Sequence, residues 1–429
     1  MAMEKLIYDA YVEILNQELI PAMGCTEPIA VAYAGALAAR TLGQQPEEVE
    51  LIVSGNIIKN VKSVIVPNTG GRKGLRTAVA AGIVCGDASK ELEVLSQVTE
   101  EQLTELDGYL SRVQIHIERS PLICPFDIQV RVRSGAGDKA DEAYVHVFSK
   151  HTNVVEISRN GEALLKKEYE DVSVPVPENR KLLTVERIVE FADTVDLTNV
   201  RPVLERQITC NMAIAEAGLR GGYGAEIGRI LLDSYGDSVQ NRAKAYAAAG
   251  SDARMNGCEL PVVINSGSGN QGLTSSIPVI IYAREMGASE EELLRELTVS
   301  NLVSIHLKTG IGSLSAYCGA TSAGAGAGAG ICYLHGGRFS EIAHTVVNTL
   351  AINSGMICDG AKSSCAAKIA SAVEAGLLGM QMNIHDSEFV GGDGIVVKGV
   401  ENTIRAVGLL AREGMSGTDR QIISMMMEN

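Results

Sequence analysis

"IGSLSAYCGATSAGAGAGAGICYL", Ile311 to Leu334, decides which kind of fold this chain can have. It carries no charged residue and is long enough to cross a bilayer as a helix. More than half of it is Gly, Ala or Ser, which give weak insertion energy. The stretch therefore reads as a helix packed closely inside a soluble protein, and no membrane partner is expected. The start, "MAMEKLIYDAYVEIL", lacks an apolar run behind a basic segment, so no signal peptide is expected and the cytoplasm is the expected location.

Outward from that stretch, 429 residues can bury a large core. Hydrophobic residues make up 46% and charged residues 21%, as in ordinary globular proteins. A formal charge of -15 argues against a nucleic-acid or anionic-membrane partner and leaves a small-molecule substrate open. A homodimer is one assembly this reading leaves open. Nine cysteines without an export signal point to free thiols, most of them small buried hydrophobes.

"KLIYDAYVEILNQEL" has apolar residues at helical spacing and should end before Pro21 and Gly24. "CTEPIAVAYAGALAARTLG" starts a second helix, with Thr26 as the expected N-cap and Gly43 as its close. "VELIVSGNIIKNVKSVIVP" reads as strands broken at Ser54–Asn56. "NTGGRKG" (Asn68–Gly74) is a glycine-rich turn into a helix over 75–84. "RVQIHIERS", "FDIQVRVRS", "EAYVHVFSKHTNVVEIS" and "EALLKKE" alternate as strands, with turns such as "GAGDKAD" between them. "VPVPENRK" (174–181) reads as a linker, and the chain beyond it reads as helices and glycine-rich loops. The expected fold class is α+β, with a smaller mixed α/β domain over 1–175 and a mainly helical domain over 180–429.

"NSGMICDGAKSSCAAK" holds Cys358 and Cys365, the latter in the first turn of a helix. A helix start favours thiolate over thiol. Their spacing matches neither a zinc knuckle nor a ferredoxin run, so it leaves open both buried thiols and a metal site. Cys318 adds a third thiol beside residues small enough for a bulky cofactor. A soft three-thiolate set suits an iron–sulfur cluster or zinc. Cys25 precedes a helix, whose end is expected to depress its pKa and make it a base, a nucleophile or a fourth ligand; a half-buried thiol at a cap is the equal alternative. "NTGGRKG" and "NSGSGNQG" (Asn265–Gly272) can present backbone N–H groups to an anion, although each is also an ordinary turn. His151, Asn153, His306 and Lys308 are polar groups in apolar contexts and read first as structural. Lys308 stays a candidate as a carboxylate's cation or a Schiff-base lysine. Asp393 in "FVGGDGIV" reads as a tight turn or cap.

In order along the chain, "MGCTEPIA", "NTGGRKG", "SKHTNVV", "NSGSGNQG", "IHLKTGIGSLSAYCGA", "MICDGAKSSCAAK" and "GGDGIV" resemble the L-cysteine desulfidase family, which is related to the iron–sulfur L-serine dehydratases. The resemblance spans nearly the whole chain. It implies a dehydratase-like catalytic (alpha) domain in the second half and a beta domain in the first. It also implies a 4Fe-4S cluster on Cys318, Cys358 and Cys365, with Cys25 as base or labile fourth ligand. The implied reaction is α,β-elimination of L-cysteine to sulfide, ammonia and pyruvate. Thr26, Asn68, the amides of Thr69, Gly70 and Gly71, His151, Asn153, Asn270 and Lys308 would handle the amino-acid substrate. Dehydratases have a serine-rich segment ending in histidine–threonine where this chain has Cys25-Thr26, which favours the desulfidase branch. The tail "SMMMEN" lacks the C-terminal cysteine ligand of some dehydratases. L-serine dehydration by the same cluster, a non-catalytic zinc protein and a pyridoxal-phosphate lyase are the competing readings.

Overall fold

The computed structural model describes residues 3–135, 140–171, 176–312 and 314–428. Part of the expected linker, Val174 and Pro175, and part of the "GAGDKAD" turn lie outside them. The first half runs α1 (Lys5–Glu18), β1 (Pro21–Met23), α2 (Thr26–Leu42), β2 (Glu48–Val53), α3 (Gly55–Val61), α4 (Gly74–Cys85) and α5 (Glu100–Arg112). Strands β3 (Gln114–Arg119), β4 (Asp127–Ser134), β5 (Asp141–Phe148), β6 (Val154–Arg159) and β7 (Glu162–Lys166) complete it. The second half begins with α6 (Val185–Thr194), α7 (Arg201–Leu219), α8 (Ile227–Tyr235), α9 (Val239–Met255), β8 (Pro261–Val263) and α10 (Gly269–Met286). It ends with α11 (Glu290–Ile311), α12 (Gly319–Leu334), α13 (Phe339–Ile352), α14 (Cys365–Ile384), α15 (Val400–Leu409) and α16 (Ser416–Glu428). The fold is α+β, as expected.

Six strands form one sheet in the order β3-β2-β4-β5-β6-β7. Only β2 and β3 run parallel. Val49, Leu51 and Val53 on β2 and Ile128, Val130 and Val132 on β4 are buried, each on every second residue, so one face of the sheet is the core face. Helix α2 lies on it, and α4 packs on α2 so closely that a Cβ on Gly82 would stand 1.9 Å from the Ala32 carbonyl oxygen.

The stretch expected to resume as a strand after Ser54 is instead α3. Ser54 Oγ accepts from the Ile57 amide at 3.3 Å, a side-chain cap, and Ile57 and Val61 are buried one helical turn apart. The N-cap of α2 is Cys25 rather than Thr26, whose hydroxyl bonds elsewhere.

Helix α12 sits at the centre of the second half, between α11 and α14 with α10 and α13 beside them. Its glycines serve two faces. A Cβ on Gly324 would lie 2.3 Å from the Ala372 carbonyl oxygen on α14, and one on Gly326 would lie 2.0 Å from Ser304 Oγ on α11. Gly328 and Gly330 repeat the two approaches one turn later. Close helix packing explains the low-complexity run, and no described helix is long and apolar enough to cross a membrane.

Both chain ends cross between the halves. Tyr11 on α1 donates to the Leu182 carbonyl at 2.9 Å and packs its ring on Phe191. Strand β1 pairs antiparallel with β8. Helix α16 returns to α3, where the Lys59 ammonium meets Asp419 at 2.5 Å. Cys25 lies just beyond β1, so this seam carries it to the junction.

Candidate functional site

Two chain segments bring the thiols together. Ahead of α12 and α14, Tyr317 and Ile357 form an antiparallel bridge. The Cys358 amide donates to the Ala316 carbonyl at 2.7 Å and the Cys318 amide to Met356 at 3.2 Å. This pins Cys318 and Cys358 side by side, with their side chains in hydrogen-bond contact. Cys365, at the first position of α14, lies within electrostatic reach of both. Asp359 fastens the loop between them. Burial pushes its carboxyl up, but the ammoniums of Lys362 and Lys368 outweigh that and hold it at about 2. Gly360, at φ 96°, lets α3 approach, since a Cβ there would stand 2.3 Å from the Lys59 carbonyl oxygen.

The thiols differ in charge. Contact with Cys318 lowers Cys358 to about 5 against the opposing effect of burial, with Lys59 and Lys308 adding to the drop. The Cys358 hydrogen bond and burial raise Cys318 well above the usual thiol range. Cys365 is also raised, by burial, although the helix start was expected to favour its thiolate. Cys318 is buried, while Cys358 and Cys365 are partly exposed. Lys308 lies within electrostatic reach of Cys358 and Cys318. Burial draws it down to about 8, with Cys358 and Cys318 opposing.

Cys25 is 2% exposed and packs with Val64 and Met255, with Cys365 against the same small cluster. Its pKa is raised well above the usual thiol range rather than depressed. Burial and the Glu27 carboxylate outweigh the helix end. Its Sγ donates to Glu27 Oε2 at 3.1 Å. The Thr26 hydroxyl contacts the same oxygen at 2.9 Å and the Gly267 carbonyl at 3.1 Å, tying Cys25 to the "NSGSGNQG" loop.

His151 faces that loop, where a Cβ on Gly267 would stand 3.2 Å from its Cε1. Burial lowers its pKa, and its Nε2 has no hydrogen-bond partner. Asn153 is occupied in its own turn, with Nδ2 donating to the Phe148 carbonyl at 2.9 Å. Asn270 is the second residue of α10 and has an unpartnered, buried Oδ1.

The Asn68–Gly71 loop is held by bonds of its own. Asn68 Nδ2 donates to Leu95, and the Thr69 hydroxyl donates back to Val66 at 2.7 Å. Gly70 and Gly71 are exposed, and Gly70 approaches Arg72 and Leu103. Arg72, after the tip, pairs with Asp107, and Pro67, before it, packs on Gly24 beside Cys25, where a Cβ would stand 2.2 Å from its ring. His306 is structural, with Nε2 2.7 Å from Glu401, and Asp393 makes a tight turn with Val390.

Three residues were missed. Glu27 stood in "CTEP", two places after Cys25. Lys59, 2% exposed on α3, and Arg254, 3% exposed on α9, are charged residues among buried neighbours, which was their signal in "NIIKNV" and "SDARMNG". Two shallow depressions, beside Arg40 and Asp87 and beside Arg242 and Glu285, carry no convergent thiol or histidine chemistry.

Among the described residues, no group of three or more His, Cys, Asp or Glu stands close enough to share one metal ion. Cys318 and Cys358 are in direct contact, and Cys365 is within electrostatic reach of both. The donor set, three soft thiols with Lys59 and Lys308 in electrostatic reach of Cys358, fits a 4Fe-4S cluster.

Fold and site together define a class: an α+β protein with a thiol-lined centre where its halves meet. The chain belongs to the serine dehydratase alpha chain family, whose model matches residues 89–424 and so reaches well into the first half. It is 53% identical over 422 residues to a UPF0597 protein of Desulfitobacterium hafniense, covering 98% of this chain and 97% of that one. UPF0597 proteins of Lachnoclostridium phytofermentans (48% over 421 residues, 98% and 100% covered) and Treponema denticola (44% over 435, 100% of both) are also similar.

Proposed function

We propose that the protein is a lyase that removes the β-substituent of a small L-amino acid by α,β-elimination, and that L-cysteine is the substrate. Elimination yields sulfide and aminoacrylate, which water converts to pyruvate and ammonia. The observation that carries this reading is the meeting of Cys318, Cys358 and Cys365 with Lys308 and Cys25 at one junction.

Cys318, Cys358 and Cys365 would hold a 4Fe-4S cluster, which supplies a Lewis-acidic iron to stabilise charge on the leaving sulfur. The chain's own residues do the rest. Lys308 places a cation beside the thiols and offsets negative charge. Cys25 is the base for the Cα proton, and Glu27 Oε2, 3.1 Å away, is where the thiol's own proton can go. The Thr26–Gly267 bond holds Cys25 against the loop that starts α10. His151, packed edge-on against Phe126, faces the same loop at Gly267. The chain's Cys25-Thr26, in place of the dehydratases' serine-rich segment, supports sulfur over oxygen as the leaving atom.

The test is anaerobic purification with iron and sulfide quantified, then turnover with L-cysteine and L-serine. Sulfide release from cysteine should exceed pyruvate formation from serine. Equal or faster turnover of serine would make it a serine dehydratase. Cys25→Ala should keep the iron and lower turnover by about 10²–10⁴-fold. Loss of all iron in that variant would make Cys25 a ligand instead.

A further inference from the structure

The substrate's α-carboxylate needs a cationic seat, and the exposed Gly70–Gly71 tip does not supply one. We infer that Arg254 and the first turn of α10 are that seat, in a subsite shaped for a zwitterionic α-amino acid. The inference rests on the elimination reading and names how the same site recognises its substrate class.

Arg254 is 3% exposed, and its Nε has no hydrogen-bond partner. Among the described residues its one polar contact is a weak approach of Nη1 to Met255 Sδ at 4.0 Å. Among the described residues no carboxylate lies within ion-pair distance of it. Glu27, the acid near Cys25, is engaged with Cys25 and Thr26. A guanidinium keeps its charge in proteins, and a buried charge without a counter-ion is costly, so this one calls for an anion.

The anion's position is set by Gly269. A Cβ there would stand 2.3 Å from Arg254 Nε and 2.8 Å from Cζ, so the guanidinium lies against the start of α10. Ser268, the N-cap, makes no side-chain cap, and the first amides of a helix have no intrahelical acceptor. Guanidinium and helix start therefore face one point, each suited to a carboxylate. The same turn carries acceptors for the ammonium end, because Asn270 Oδ1 and Gln271 Oε1 are both buried and unpartnered. Gln271 also touches Gly319, next to Cys318, where a Cβ would meet its amide at 2.7–2.9 Å. An amino acid held there would direct its β-substituent toward the thiols, and Arg254 lies near enough to Cys25 to favour its thiolate.

The experiment uses the anaerobically purified full chain and two thiols that each lack one end of cysteine. 3-Mercaptopropionate has the carboxylate and cysteamine has the ammonium. Calorimetric affinities are measured for the native protein and Arg254→Met, with thermal melting of both. Arg254→Met should bind 3-mercaptopropionate about 100-fold or more weakly and cysteamine within about threefold of native, since truncating one side of a buried charge pair is expensive. Its melting temperature should hold or rise, because an apolar side chain replaces an unpaired buried charge. Unchanged carboxylate affinity, an equal loss for both ligands, no binding of 3-mercaptopropionate by the native chain, or a lower melting temperature overturns the inference. A carboxylate-selective loss in a protein that releases no sulfide upholds the subsite and overturns the elimination reading alone.

Discussion

Cys358→Ala is expected to fold, to purify without iron or acid-labile sulfide, and to lose at least about 10³-fold in sulfide release. A Lewis acid at the leaving group is worth several kcal/mol, and each 1.36 kcal/mol is tenfold in rate. The fold should survive because the backbone, not the thiol, pins this segment, through the Cys358 amide to Ala316 and the bridge of Tyr317 to Ile357. The loss reaches beyond one ligand. Lys308, already drawn down to about 8 by burial, keeps its charge partly through Cys358 and Cys318. Lys59 keeps Asp419 as partner and is not stranded in the same way. Cys210→Ala, on α7 away from the centre, should retain iron and turnover. Iron and labile sulfide per chain, with turnover under argon, check the pair. A Cys358→Ala protein that stays brown and active would remove this thiol from the ligand set.

Much of the fold was legible because burial imposes a period. β2 and β4 bury every second residue, and α1 buries Ile7, Tyr11, Ile14 and Leu15 on one stripe. The Gly-Ala run was readable as close packing because nothing else makes use of so many missing side chains. Helix α3 was not legible from its β-branched residues. Ile57 and Val61 suit a strand, and the Ser54 cap decided for a helix.

The site was legible in parts. Cys318, Cys358 and Cys365 stood out as thiols beside turns and helix starts, and the structure brings them together. Their charges were not legible, because a helix start contributes less than full burial. Cys25 and Cys365 both move up where the helix ends alone predicted down. The anion role stayed open between "NTGGRKG" and "NSGSGNQG", because a glycine turn looks the same whether its amides face a ligand or solvent. Arg254 escaped notice because one arginine near the end of an alanine-rich helix usually snorkels to water. Only the packing of α9 on α10 shows that it does not.

A second large effect lies away from the chemistry, at Glu296 in the second turn of α11. The residue is 1% exposed, and its Oε2 has no partner. Burial, helped by Glu292, raises its carboxyl from 4.5 to about 8. The folded protein therefore holds this proton through neutral pH, while the unfolded chain releases it above 4.5. Folding stability must fall as pH rises from 4.5 towards 8, with a loss of about 3 kcal/mol by pH 7 and little further change above 8. Glu296→Gln has the shape of the protonated acid and no proton to lose, so this part of the pH dependence should vanish. Any cost from the new amide hydrogens is the same at every pH, so the slope rather than the absolute stability is diagnostic. Thermal melting of native and variant from pH 4 to 9 should show the variant gaining on the native protein through the neutral range, by several degrees at pH 8. Two curves that fall in parallel would mean that Glu296 is ionised in the folded state and has a counter-charge or water beside it.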